Sequence, residues 1–214
     1  IQLRIIGRIA FPLFCWGIVL GCLYTKDGKK YALRLLLGAV ISQYPYMLAL
    51  NHSLRELNVM FTLLLGMLAV TGIQRNTRGS AIWAPLLSIS IAAVLQMDYG
   101  WKGVLLIIMM YACREKKGAF AAMFTAFCLF WGSTSSDVSA VFGVTNDMLF
   151  PSSTYMMRWI GMLRTFLKLQ GLALLALPFM LINTNSGFRL PKWFVYLAYP
   201  GHLLALYAIK LLRG

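Results

Sequence analysis

Four ionisable side chains stand inside or at the mouths of otherwise apolar runs: Arg8 in GRIAFPLFCW, Arg34 in ALRLLLG, Asp98 in QMDYGWKG and His202 in LAYPGHLLALY. A titratable group in a lipid-facing helix is costly, so such residues are functional candidates by default. His202 lies deepest, near the middle of WFVYLAYPGHLLALYAIKLL, Trp193 to Leu212. Pro200 removes a backbone donor beside it, Gly201 leaves the backbone accessible, and Tyr199 adds a hydroxyl one turn away. A buried imidazole kept neutral is the form a general base requires. A neutral ring bonded to a neighbouring helix, with no chemistry, is the plain alternative.

Other polar groups sit within apolar runs. Gln43 with Tyr44 and Pro45 in ISQYPYML makes a second expected kink. Asn58 and Thr62 in LNVMFTLLLG are four apart and share one helix face. Each alone reads as interhelical glue; with His202 they would form a polar centre in a dry bundle. His52 in ALNHSLRELN reads as a loop residue. Gly17 and Gly21 fit a small-xxx-small packing pattern. The four cysteines, Cys15, Cys22, Cys113 and Cys128, form no CxxC pair and read as packed thiols, without a disulfide or metal site. No Walker, GxSxG or HExxH motif is present.

Positioning these groups requires membrane helices. Of 214 residues, 60% are hydrophobic and 12% charged, and the mean hydropathy is +0.73. A soluble domain carries about twice that charged fraction. About eight apolar spans follow, near residues 9–24, 31–50, 58–73, 81–97, 101–113, 118–133, 164–182 and 193–212. Strand-like alternation is absent, so the expected fold is an all-α, polytopic helical bundle, one transmembrane domain over residues 1–214. Trp83, Trp101, Trp131 and Trp193 fall at span ends, as an aromatic belt would.

The net charge of +14 comes from 20 Lys and Arg against 6 Asp and Glu. The basic residues crowd into alternate short loops: Lys26, Lys29 and Lys30, with Arg34 just beyond; Arg75 and Arg78; Arg114, Lys116 and Lys117; Arg189 and Lys192. That pattern sets topology and meets anionic lipid rather than nucleic acid. It puts the odd-numbered loops in the cytoplasm and both ends of the chain outside. A second use for the cations is to hold a phosphate-bearing cofactor. The outer loop GSTSSDVSAVFGVTNDMLFPSST reads as a solvated connector. The following YMMRWIGMLRTFLKLQ, with Arg158, Arg164, Thr165 and Lys168, reads as an interfacial amphipathic helix.

The motifs GRIAFPLFCW, LRLLLGAVISQYPY, LNVMFTLLLGML, DYGWKGVLLI and LAYPGHLLALY, in this order and spacing, resemble the TraX family. Its namesake is a conjugation-associated membrane protein that acetylates the N-terminus of F-type pilin. The family is distantly similar to the membrane acyltransferases that modify surface sugars. The resemblance runs from about Leu3 to Leu212 and is weakest between Ser133 and Lys168. It implies a bacterial inner-membrane enzyme that moves an acetyl group from acetyl-CoA to a pilin or peptide amine, or to a glycan hydroxyl. Arg8 matches the family's arginine before Ala-Phe-Pro, and His202 its histidine in the last span. Family members usually open with a further span bearing an Asp-His pair, so the resemblance implies such a span ahead of Ile1.

Attack on a thioester requires a base within about 3 Å of the acceptor proton and fixed donors for the oxyanion. His202 is the candidate base, or the support of a base from the preceding span. Arg8, with Asn58 or Tyr99, is the candidate oxyanion donor or acceptor anchor. Lys29, Lys30, Arg34, Arg114, Lys116 and Lys117 would bind the phosphates of coenzyme A. Gln43, Asn58, Asp98, Tyr99 and Tyr199 would line the acceptor pocket. Two other readings compete: a proton-coupled transporter with His202 as relay and the Tyr-Pro points as broken helices, and a structural partner in a secretion or conjugation assembly.

Overall fold

The computed structural model describes residues 2–132, 171–182 and 192–212. The outer Ser/Thr-rich loop, the amphipathic helix with Arg158, Arg164, Thr165 and Lys168, and Arg189 lie outside the described residues. Within them the chain is helical: α1 Gln2–Tyr24, α2 Gly28–Leu50, α3 Val59–Arg75, α4 Ser80–Val94, α5 Gly100–Cys113, α6 Lys117–Gly132, a 3-10 turn Gly171–Ala176 leading into α7 Leu177–Leu181, and α8 Lys192–Leu212. Helices thus appear over seven of the apolar runs; of the run near 164–182 the described part is the 3-10 turn and the five-residue α7. Two segments, Gly7–Tyr24 and Gly28–Leu50, are long and apolar enough to cross a membrane. Helices α3 to α6 are apolar but shorter, 14 to 17 residues. That is about 21–26 Å of helix, less than the roughly 30 Å hydrocarbon core.

Local signals set the boundaries. Asp27 caps α2 by accepting the Lys30 backbone N–H at 3.1 Å, and Asn58 caps α3 by accepting that of Met60 at 2.9 Å. Asn51 and Asn76 end α2 and α3 in the left-handed conformation, with φ of 56° and 43°, which asparagine tolerates better than most residues. At Pro45 and Pro200, the expected kink points, α2 and α8 continue as helix on both sides. Packing on both helices outweighs one missing hydrogen bond in each, as Pro45 and Pro200 are themselves buried.

The contacts fall into two units. One contains residues 1–14 and 113–182. In it α6 packs on the 3-10 turn and α7, and Trp131 stands edge-on to Phe11 and Phe127 at 6.0 and 5.1 Å. The other contains residues 15–112 and 183–214. Here α3 packs on α4, and α2 packs on both α3 and α8. Gly72 lets α3 approach α4: a Cβ there would strike Ala84 and stand 3.0 Å from the Ser80 carbonyl. Gly17, in the expected small-xxx-small pair, has open space around it, while Gly21 abuts Tyr31.

Two ends of this second unit differ in character. At one, Gln74 donates to the Cys22 carbonyl at 3.3 Å and Arg75 lies beside Gly28. The α1–α2 and α3–α4 turns therefore meet, bringing together Lys26, Lys29, Lys30, Arg34, Arg75 and Arg78, all exposed. At the other end, segment 51–58 pairs with the α4–α5 turn. Leu57 donates to Gln96 at 2.8 Å, and Asp98 donates back to Leu57 at 3.0 Å. Within this unit the two basic loops thus share one end, apart from the 51–58 segment and the α4–α5 turn. The sides are apolar: Leu33, Leu37, Val40, Ile41 and Tyr44 of α2 and Ile82, Leu86, Leu87 and Val94 of α4 are exposed.

Candidate functional site

The best-connected polar group in the second unit is Asn58. It is 0% exposed. Its Oδ1 caps α3. Its Nδ2 donates to the Ala39 carbonyl at 2.7 Å and to Gln43 Oε1 at 2.9 Å, and its backbone N–H donates to the same oxygen at 3.1 Å. Gln43 Nε2 in turn donates to the Glu56 carbonyl at 2.8 Å. Two side chains, 15 residues apart, thus tie α2, the 51–58 segment and the start of α3 into one joint. Buried amides must be bonded in this way, since each unmet bond costs about 1–3 kcal/mol. Ser42 and Thr62 flank the joint in sequence, and their buried hydroxyls have no partner among the described residues.

Around the joint lies a ring of titratable groups. His52 stacks on Tyr46 with centroids 4.9 Å apart and planes 7° from parallel. Its Nδ1 meets Glu56 Oε2 at 2.8 Å, and the Ser53 backbone N–H donates to the same carboxylate oxygen at 2.8 Å. The Ser53 bond first, and His52 second, hold the Glu56 carboxyl below its usual value. Asp98 lies close enough to Tyr46 and Tyr199 to act electrostatically on both, as does Tyr99. Tyr199 bonds the Val59 backbone, so α8 is fixed to the first turn of α3. Further along α8, Lys210 donates to Asn51 Oδ1 at 2.7 Å.

The predicted residues therefore separate into groups. Gln43, Asn58, Asp98, Tyr99 and Tyr199 gather at this joint. His202 is attached to it edge-on through Tyr199, at 5.3 Å between centroids, but its ring is exposed rather than buried at a polar centre. The reason is helix phase: α8 turns Pro200 and Leu203 inward, and residue 202 falls on the flank of that face. Arg8 belongs to the other unit and is half-buried. Lys29, Lys30 and Arg34 are exposed at the basic end. Arg114, Lys116 and Lys117 lie around the start of α6, where Arg114 bonds Glu115 at 2.8 Å. The pair His52–Glu56 was missed as a site. Its signal is the four-residue spacing of an imidazole and a carboxylate in NHSLRE, in a segment that begins and ends in asparagine.

Helices throughout the described residues, with apolar sides, a bonded amide joint and cations gathered at one end of the second unit, define a class: a helix bundle with its polar groups inside and at its ends. Within that class the chain belongs to the TraX protein family, whose model matches residues 1–210. It is also similar to a probable fimbrial assembly protein, FimC of serogroup H1, from Dichelobacter nodosus, at 33% identity over 140 residues. That match covers 58% of this chain and 55% of the relative, so the chain spans about half the length of the curated protein it matches. No solved structure matches.

Proposed function

We propose that this chain is a multi-pass protein of the bacterial inner membrane that transfers an acetyl group from acetyl-CoA to the N-terminal amine of a pilin or related peptide. The observation that carries the reading is the Asn58–Gln43 joint, a bonded polar interior beneath apolar outer faces, lying one helix length from a basic end. Apolar side chains outside with amides and hydroxyls inside suit a bilayer, where the solvent is hydrocarbon. Trp83 and Trp101, 71% and 44% exposed, begin α4 and α5 at the opposite ends, as interfacial anchors do. In this reading all eight apolar runs cross or enter the bilayer. The short α3 to α6 are accommodated by local thinning or by their neighbours.

The residues present fit the donor. Lys29, Lys30 and Arg34 offer exposed cations to phosphate on the first turns of α2, with Lys30 also paired to the capping Asp27 at 3.4 Å. From Lys30 to Gln43 the helix rises about 20 Å, comparable with an extended phosphopantetheine arm. A thioester anchored at the basic end would reach the amide joint. There the donors of Asn58 and Tyr99 are proposed for the oxyanion. His202, on the open flank of α8, is proposed to take the proton released as the amine adds to the carbonyl. The role of Arg8 rests on the family resemblance alone. The fimbrial relative and the family support an acceptor of pilin type over a surface glycan. Unbroken helices at Pro45 and Pro200 weigh against the broken-helix transporter.

Acetyl-CoA binding tests the reading. A ligand that binds the folded state raises its melting temperature, by about 2.7 kcal/mol of added stability at a hundred times Kd. Acetyl-CoA should stabilise the purified protein, and Lys29→Ala with Lys30→Ala should reduce the shift. A transporter would ignore acetyl-CoA and show pH-driven flux in vesicles.

A further inference from the structure

An N-terminal amine poses a problem that a hydroxyl does not. With a pKa of about 8 it arrives as an ammonium, with no lone pair. It must lose one proton before attack and a second one during it. His202 in the reading above handles the second, which leaves the first without a base.

We propose that His52, positioned by Glu56, receives the acceptor ammonium and removes its first proton, which makes this a site for amines rather than alcohols. The inference rests on the acetyl-transfer reading. His52 Nδ1 faces the Glu56 carboxylate, so the neutral ring carries its proton there and presents Nε2 as an acceptor. Among the described residues Nε2 has no partner. The dyad is open to an incoming chain end, with side chains 35% and 39% exposed. It is also rigid. Tyr46, 2% exposed, backs the ring, Gln43 holds the Glu56 carbonyl, and Leu57 is pinned to Gln96 and Asp98. A simple surface ion pair needs none of these supports. The Glu56 carboxylate beside the ring gives a cationic acceptor a counter-charge and a neutral alcohol nothing.

The protons balance. The ammonium N–H passes to Nε2, and exposed His52 returns it to water. The free amine then forms the C–N bond at the thioester carbonyl as the C–S bond breaks. Its second proton passes through His202 to the coenzyme A thiolate, which leaves as thiol. Glu56 and Tyr46 contact the ring; Asp98 and Tyr99 of the α4–α5 turn act on Tyr46, Lys210 of α8 is held on neighbouring Asn51, and Arg55 lies on the same segment.

The test compares wild type, His52→Ala and Glu56→Gln of the whole protein in vesicles. Labelled acetyl-CoA is the donor, with a pilin N-terminal peptide and O-methylhydroxylamine, an amine already neutral near pH 7, as acceptors. For His52→Ala, kcat/KM with the peptide should fall at least about tenfold near pH 7. The deficit should shrink as pH rises past the amine's pKa, and O-methylhydroxylamine should be acetylated as by wild type. Glu56→Gln, which weakens the bond that holds the ring, should lower kcat/KM with the peptide in the same direction and spare O-methylhydroxylamine. An equal loss at every pH and with both acceptors means a structural role and overturns the proposal, as does full activity of His52→Ala. Repeating the series with His52→Gln, and checking that acetyl-CoA still stabilises each variant, guards against misfolding. If wild type transfers nothing to either acceptor, the transferase reading fails and takes the dyad's role with it.

Discussion

The Asn58 amide stands 2.9 Å from Gln43 Oε1 and 2.7 Å from the Ala39 carbonyl, wholly out of contact with solvent. One side chain thus caps α3, ties it to α2 and, through Gln43, orders the segment that carries His52 and Glu56. Asn58→Leu removes the cap and leaves the Gln43 oxygen and the Ala39 carbonyl short of donors. It should destabilise the fold by about 2–4 kcal/mol, from a lost cap and unmet buried bonds together. Denaturation in detergent measures this, and a loss below 0.5 kcal/mol would show that the joint is not structural.

Thr62 sits one turn beyond Asn58, buried and without a partner among the described residues. Thr62→Val keeps the shape and removes the stranded hydroxyl, so it should be neutral or stabilising by up to about 1 kcal/mol. A clear fall in melting temperature would mean that the hydroxyl has a partner in the working protein, such as a bound water or substrate.

At the α3–α4 contact, Gly72→Ala pushes a methyl group into Ala84 and toward the Ser80 carbonyl. Overpacking of this kind costs about 1–3 kcal/mol. Ala84→Gly in the same chain should recover part of the loss, and a double-mutant cycle reads the coupling. Strict additivity would contradict this packing.

Glu56 gives the stability a pH dependence. Its folded pKa lies below the ordinary 4.5, first through the Ser53 N–H and then through His52. A depressed carboxylate stabilises the fold above its unfolded pKa, and the contribution disappears as pH falls through the folded value. Melting temperature should therefore drop on acidification below about 4.5, and Glu56→Gln should flatten part of that limb. Asp27, lowered first by the Lys30 backbone N–H at the start of α2, acts in the same direction.

Much of the fold was legible in the sequence because long apolar runs leave few alternatives to helices, and capping asparagines mark their ends. The meeting of the two basic loops of the second unit at one end agrees with their alternation along the sequence. Three things were not legible. Pro45 and Pro200 signalled kinks, and that α2 and α8 continue through them depends on the packing around both buried prolines. The flank taken by His202 depends on which face of α8 meets α2, which a single helix does not reveal. The pairing of Leu57 with Gln96 and Asp98, and the bonds of Asn58 to Ala39 and Gln43, are contacts made only on folding. They turned His52 from an unremarkable loop residue into one half of an ordered dyad.

Transfer itself is the most direct measurement. Purified protein in vesicles, given labelled acetyl-CoA and a pilin peptide, should place the label on the peptide's N-terminal nitrogen, and His202→Ala should abolish this while acetyl-CoA still raises the melting temperature. Folded wild-type protein that leaves the peptide unlabelled at every pH would contradict the account.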